Sequence, residues 1–192
     1  MNRADMDKPA DIADVEIVRR CLAGQREAFA KLVARHQRAV YGVALRMLGD
    51  CDQADDAAQE TFVRAYSGLT TFRGESSMRT WLLRIATRLC IDMVRARRRR
   101  PELPLDDGDA PAQTEWEGEV AGRHSLARAI AQLPPHYKAA IVLRHLHHLS
   151  YADMAQALGL PLATARTHLR RARLMLRSLL EEGTQQAEEV SQ

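Results

Sequence analysis

The chain has few of the residues that interrupt helices. Its 192 residues include only 10 glycines and 7 prolines, whereas alanine, leucine and arginine are abundant. The latter three are among the best helix formers. No stretch shows a convincing alternation of apolar and polar residues, which excludes an arrangement of half-buried strands. The composition therefore predicts an all-α protein.

Cysteine is also scarce. The three cysteines, Cys21, Cys51 and Cys90, are odd in number, and no two of them have the CxxC spacing. This argues against both a disulfide framework and a zinc site. The chain also lacks an apolar segment of signal-peptide length and any run near the ~18 apolar residues of a membrane span. We therefore expect a cytoplasmic protein.

Three histidines are clustered within the C-terminal third of the chain, just before residue 151. His145, His147 and His148 lie close to Asp153, which could suggest a metal site. No second pair of ligands has the spacing that zinc sites require. We therefore expect no metal and no cofactor. His36 lies on an apolar helix stripe, where a core-edge histidine is expected instead of a ligand.

Positive and negative charges are segregated along the chain, although the net charge is only +3. Residues 79–100 contain eight arginines and one acid, and residues 161–177 contain five arginines and no acid. Between them, residues 102–119 contain seven acids and no lysine or arginine. Basic blocks on helices are typical of phosphate contacts, although solvated helix faces are the alternative.

The charge pattern and the helical periodicity together predict two domains. Residues 100–118 also contain three prolines and two glycines, which is typical of a linker. We predict an N-terminal helical domain at 12–99, a flexible acidic linker at 100–118 and a C-terminal helical domain at 119–181. The predicted helices span about 29–48, 53–68, 78–97, 119–132, 135–147, 151–158 and 162–180.

Residues 151–170 fit a helix-turn-helix. Ala155 is small where the two helices would cross, Gly159 tolerates a positive φ in the turn, and Ala165 supplies a buried position in the second helix. An arginine stripe runs beside the apolar stripe of that helix, so it can enter the major groove of DNA. The alternative is a bundle helix with an exposed basic face. The candidate DNA-binding residues are Thr164, Arg166, Thr167, Arg170, Arg171 and Arg173.

Two sets of motifs, one in each half, resemble the extracytoplasmic-function (ECF) sigma factors of bacterial RNA polymerase. The N-terminal set comprises the runs 55–66, 72–77 and 80–86. The C-terminal set comprises Leu133-Pro134-Pro135, Leu149-Ser150-Tyr151, Ala155, Leu158-Gly159-Leu160-Pro161, Thr164 and Arg171-Ala172-Arg173. The resemblance covers residues 12–181. It implies a sigma factor that is not an enzyme and that binds core RNA polymerase and promoter DNA.

The resemblance also implies roles for individual residues. An acidic helix would dock on the β′ subunit of the polymerase through Asp52, Asp55, Asp56, Gln59 and Glu60. A loop and the helix after it would capture an unstacked base and the backbone of the −10 element. These −10 residues are Phe72, Arg73, Ser76, Ser77, Arg79, Thr80, Arg84, Arg88 and Arg95. Phe62 is expected to pack inside. Phe72 and Trp81 could stack on the unstacked base, although a buried anchor is the expected role of Trp81. The helix-turn-helix would read the −35 element.

Partners follow from the same resemblance. The chain would contact the β′ and β subunits, and an anti-sigma factor, often membrane-bound in this family, would hold it inactive. It would be a monomer when free, or bound 1:1 to the anti-sigma factor. Two alternatives remain open from the sequence. One is a dimeric helix-turn-helix regulator whose N-terminal half is a sensor or dimerisation domain. The other is a sigma mimic that binds a regulator but lacks promoter activity.

Overall fold

The structure, a computed structural model, describes residues 9–99 and 120–190, and these ranges contain helices and no strand. The predicted linker at 100–118 lies outside them. No helix within the two ranges is long and apolar enough to cross a membrane. The helices are α1 (Pro9–Leu22), α2 (Phe29–Leu48), α3 (Cys51–Ser67), α4 (Met78–Arg99), α5 (Val120–Gln132), α6 (Pro135–Ile141), α7 (Tyr151–Leu158) and α8 (Leu162–Val190).

Helices α2, α3 and α4 pack on one another and form the centre of the N-terminal half. The apolar stripe predicted for α2 is buried at Leu32, Val40, Val43 and Met47. The helix ends at Gly49, whose φ of +77° is a conformation that glycine adopts without steric cost. Asp50 then caps α3, because its side chain accepts a hydrogen bond from the backbone N–H of Gln53 at 2.8 Å.

Helix α1 is attached to the N-terminal half by a buried carboxylate. Asp14 is only 3% exposed and accepts a hydrogen bond from Arg35 Nη1 at 2.9 Å. Its other oxygen lies 2.9 Å from His36 Nε2. His36 therefore pairs with an acid at the edge of the core, and no cluster of three metal-binding side chains occurs in the described parts of the chain.

The helix-turn-helix has the predicted geometry. Ser150 caps α7 by accepting a hydrogen bond from Asp153 N at 3.0 Å. Gly159 has a φ of +65° in the turn, and Ala155 is buried. Ala165 of α8 is completely buried. These small residues allow α7 and α8 to cross at close range.

The segment before the helix-turn-helix differs from the prediction. The helix expected at 135–147 is α-helical only to Ile141 and continues as a π-helical turn over Val142–Leu146. Hydrogen bonds from His147 N to Val142 O and from Leu149 N to Leu143 O close this wider turn. His148, which follows the π-helical turn, has a φ of +54° and lies two residues before Ser150, the cap of α7.

The two halves pack directly against each other. Helix α4 contacts both α6 and α7, and α2 contacts α6 and the π-helical turn. Buried residues of both halves belong to one continuous apolar core. The two sets of helices are therefore observed in a closed arrangement, and this arrangement determines which candidate residues reach the surface.

Candidate nucleic-acid interface

The arginine face of α8 is exposed in the described part of the helix. Ala165, Leu169 and Ala172 are buried and hold the helix on the core. The intervening positions turn outward because an α-helix repeats every 3.6 residues. The exposed set is Arg166, Thr167, Arg170, Arg171 and Arg173, and Thr164 is half-buried.

Contacts with the Tyr151 ring and with His145 orient the arginine face of α8. The guanidinium of Arg166 lies 5.4 Å from the centroid of the Tyr151 ring, and that of Arg144 lies 4.6 Å from it. Arg173 donates to His145 Nε2, with Nη2 at 3.1 Å. Burial, followed by the charges of Arg173 and Arg144, lowers the pKa of His145, which favours the neutral acceptor form. The surface is therefore positively charged and partly preorganised.

The first turns of α3 form an acidic face. Asp52, Asp55, Asp56 and Gln59 are exposed, whereas the apolar positions between them are buried. Glu60 is half-buried and accepts a hydrogen bond from Arg64 Nε at 2.7 Å. Capping of α3 is done by Asp50, so the helix start does not account for the acids at 55 and 56. These four exposed residues, Asp52, Asp55, Asp56 and Gln59, are called the acidic face below.

The side chains of the loop before α4 differ in their exposure and contacts. Arg73 is exposed, while Phe72 contacts the Trp81 ring edge-on at a centroid distance of 5.4 Å. Trp81 is half-buried, and Phe62 is buried as the sequence led us to expect. Ser77 Oγ accepts a hydrogen bond from Thr80 N at 3.1 Å, so it stabilises the start of α4.

Four of the nine residues predicted to bind the −10 element contact the C-terminal half. Arg79 Nη2 donates to the carbonyl of His147 at 3.2 Å, and Arg95 Nη2 lies 2.6 Å from His136 Nε2. Thr80, which is 2% exposed, donates to Asp153 Oδ1 at 3.4 Å. The Arg84 side chain lies about 4 Å from the position that a Cβ would take at Gly159 in the turn before α8.

A residue that the C-terminal half covers cannot contact DNA at the same time. Thr80 is covered by the C-terminal half, and a guanidinium bonded to a carbonyl has fewer donors for a phosphate. Arg84, Arg88 and Arg95 are exposed on α4, as is Arg73 in the loop, so the C-terminal half covers Thr80 and part of Arg79. The closed arrangement therefore presents the α8 face and the acidic face, but only part of the predicted −10 surface.

Lys138 lies at the contact between the two halves, and the sequence analysis did not single it out. It is buried, and its Nζ donates to the Met47 carbonyl at the end of α2 at 3.0 Å. The last carbonyls of a helix lack partners within the helix, and a cation is favoured there. Burial, followed by the charge of Arg98, lowers the pKa of Lys138. A lone lysine in an amphipathic segment carries no local signal of such a role.

Comparison with known families matches both halves. The sigma-70 region 2 family matches residues 32–100, and the sigma-70 region 4 family matches residues 123–176. The RNA polymerase sigma-H factor of Pseudomonas aeruginosa is 33% identical over 83% of this chain and 90% of its own length. The ECF sigma factor SigW of Bacillus subtilis is 32% identical over 83% of this chain and 92% of its own length.

Solved structures agree with this assignment. CnrH, in complex with the cytosolic domain of CnrY, is 29% identical with a TM-score of 0.66, over 91% of this chain and 99% of CnrH. The Bartonella quintana sigma factor RpoE, in complex with the anti-sigma factor NepR, shares the fold with a TM-score of 0.62 and 24% identity, over 80% of this chain and 96% of RpoE. Since both regions match in order and the relatives align over most of their length, this chain belongs to the ECF sigma factors of bacterial RNA polymerase, which are transcription initiation factors and not enzymes.

Proposed function

We propose that this sigma factor binds core RNA polymerase through the acidic face of α3 and directs initiation at promoters through α4 and α8. The observation that carries the proposal is the presence of two exposed surfaces of opposite charge, the acidic face on α3 and the arginine face on α8. The acidic face suits a basic protein surface, and the arginine face of α8 suits duplex DNA. The polymerase supplies the chemistry, so the chain needs no catalytic residue.

The −35 contact is assigned to the exposed side of α8. Arg166 and Arg170 are one helical turn apart, so both can address the same groove. Arginine binds guanine O6 and N7 with two parallel hydrogen bonds, which makes these two positions the candidates for base readout. Thr164, Thr167, Arg171 and Arg173 would position the helix through contacts with the DNA backbone.

The −10 contact requires the two halves to separate. Phe72, Arg73, Ser76 and Ser77 belong to the loop that would capture an unstacked base. In α4, Arg79, Thr80, Arg84, Arg88 and Arg95 would bind the adjoining strand. The hydrogen bonds of Arg79 and Thr80 to the C-terminal half must break before this surface is complete. The closed arrangement is therefore the inactive form in this proposal.

An anti-sigma factor is the partner expected to hold this form. CnrH and the Bartonella quintana RpoE were both solved in complexes, the latter with an anti-sigma factor. We extend that partnership to this chain as a 1:1 complex, with the free sigma factor monomeric. The protein would act in the cytoplasm, on promoter DNA and on the β′ and β subunits of the polymerase, and the anti-sigma factor could itself be membrane-bound.

The alternatives raised by the sequence have less support. A dimeric regulator would use its N-terminal half as a sensor, whereas that half matches sigma region 2. A sigma mimic would not need a basic recognition helix, whereas four arginines are exposed on α8 between positions 166 and 173. Neither alternative accounts for the acidic face on α3.

The polymerase contact is testable by reversing charge on the acidic face. We expect the double variant Asp55→Lys and Asp56→Lys to bind core RNA polymerase about 10- to 100-fold more weakly, because like charges would meet across the interface. Both side chains are exposed, so the fold should be retained. Fluorescence anisotropy of the labelled full chain, titrated with core polymerase, measures the dissociation constant.

A matched control is the double variant Glu181→Lys and Glu182→Lys. It makes the same charge change at two exposed positions of α8, far along the chain from α3. We expect its affinity for core polymerase to stay within about threefold of the wild-type value. Equal weakening by both double variants would mean that net charge, and not the acidic face, governs binding. No binding by folded wild-type chain would refute the sigma assignment of function.

A further inference from the structure

Two histidines lie at the junction of the halves, and each is paired with an arginine of α4. His136 Nε2, from α6, lies 2.6 Å from Arg95 Nη2. His147, from the end of the π-helical turn, accepts a hydrogen bond from Arg79 through its carbonyl. Both arginines belong to the surface assigned above to the −10 element. These two contacts join the C-terminal half to that surface, so breaking them frees the donors of both arginines.

The His136 contact requires a neutral imidazole. A guanidinium has donors and no acceptor, so Nε2 must be the unprotonated nitrogen and Nδ1 must carry the proton. Protonation would convert Nε2 into a donor and place two cations 2.6 Å apart. Arg95 and Asp92 of α4 and His168 of α8 are the charged or titratable groups that face it. Burial lowers the pKa of His136, as do Arg95 and His168, and Asp92 opposes them.

The His147 side chain is held in a basic pocket between the halves. It is 8% exposed, and a Cβ placed on Gly42 of α2 would lie 3.4 Å from its Cε1. Arg46 of α2 and Arg79 of α4 face it, with His148 beside it in the chain. Its Nε2 has no hydrogen bond of normal geometry, and the Gly42 carbonyl already accepts from Arg46 at 3.1 Å.

In the described part of the chain, the charged or titratable side chains that act on His147 are Arg79, Arg46 and His148, none of which is an acid. The nearest carboxylate along the chain, Asp153 of α7, is engaged by Ser150 and by Thr80. Burial, followed by Arg79 and Arg46, lowers the pKa of His147 to about 4, with the Gly42 backbone opposing the shift. The closed arrangement thus tolerates only the neutral form of this side chain.

We propose that the packing of the two halves is a proton-operated latch, closed while His136 and His147 are neutral and opened when they become protonated. Opening releases Arg79, Thr80, Arg84 and Arg95 from the C-terminal half together. The latch itself is a property of the fold and goes beyond the proposed function. Only its consequence, that acidification exposes the −10 surface, rests on that function.

The direction of the pH effect follows from linkage. The pKa of His147 is about 4 when closed and about 6.5 when exposed, so its contribution to the closed form is fully present above pH 6.5. That contribution is lost as the pH falls from 6.5 toward 4. Between pH 7.5 and 5.5, His147 alone should lower the ratio of closed to open molecules about tenfold. His136 adds to the change in the same direction.

Single-molecule energy transfer on the full chain tests the latch. Donor and acceptor dyes are carried by unnatural amino acids at Arg38 of α2 and Ser178 of α8, both exposed. We expect the open-to-closed ratio of the wild type to rise at least about tenfold from pH 7.5 to 5.5, reversibly and with unchanged helix content. The double variant His136→Gln and His147→Gln should show less than about a twofold change.

Two further variants keep the test decisive. The control variant His148→Asn removes an exposed histidine. Asparagine tolerates the φ of +54° at this position, so the variant should keep the fold and respond to pH as the wild type does. If the double variant unfolds, His136→Gln alone should retain the fold, because His136 is only half-buried, and should weaken the response. A wild type that stays closed at pH 5.5, or a folded double variant that still opens, overturns the latch. Because the readout is a distance, polymerase binding can fail or succeed independently of it.

Discussion

Replacing Arg166 and Arg170 with alanine is expected to abolish the dependence of transcription on the −35 element. Both arginines are exposed, because Leu169 is buried on the core side of α8 and their side chains lie on the other side of the helix. A bidentate contact from arginine to guanine contributes ~1–3 kcal/mol of discrimination, so each lost contact corresponds to about 5- to 150-fold. Run-off transcription by the reconstituted holoenzyme, on a promoter selected from a randomised template library, measures the effect against a scrambled −35 element.

Arg177→Ala is the matched control for that experiment. Arg177 is exposed on the same helix but lies two turns beyond Arg170, and its Nε donates to Glu181 at 2.9 Å. An exposed pair of this kind contributes little, so transcription should change less than about twofold. Retention of the wild-type −35 preference by the Arg166 and Arg170 double variant would remove α8 from the role of recognition helix.

The substitution Leu169→Ala is expected to cost about 2–5 kcal/mol of unfolding free energy. Leu169 is 1% exposed and belongs to the continuous core. Truncation removes buried apolar surface and leaves a cavity under the recognition helix. Since a domain is typically stable by only ~5–15 kcal/mol, the loss should also weaken binding to the −35 element. Urea denaturation followed by circular dichroism measures the free energy.

Leu174→Ala provides the comparison on the same helix and with the same chemistry. Leu174 is 58% exposed, so its truncation should change the unfolding free energy by less than about 0.5 kcal/mol. Similar losses for both leucines would mean that α8 is not seated on the core through Leu169. A loss confined to Leu169→Ala would confirm that the arginine face is oriented by core packing.

Local chemistry made the helix-turn-helix predictable. Ser150 and Asp153 lie three residues apart, which is the spacing of a helix cap, and the structure shows the cap. Gly159 occupies the positive φ that the turn requires, because glycine has no Cβ to clash there. The apolar stripe of α8 likewise specifies which residues are buried. Each of these signals acts over a few residues and is therefore visible in sequence.

Other features have no such local signal. Asp14 was not expected to attach α1, because its partners Arg35 and His36 lie 21 and 22 residues away. The π-helical turn over Val142–Leu146 was missed because an amphipathic pattern does not distinguish it from an α-helix over five residues. In these cases the fold of the whole chain, and not propensity, decides the local structure.

The sequence by itself determined the helices, the order of the sigma regions and the outward charges of α3 and α8, because caps, turns and apolar periodicity act within a few residues. Only the tertiary structure decided that the predicted −10 residues are partly covered. The bonds of Arg79 to His147, Thr80 to Asp153 and Lys138 to Met47 join residues 68, 73 and 91 positions apart. Such contacts depend on how the two halves pack, because polar groups buried where the halves meet find their hydrogen-bond partners in the opposite half.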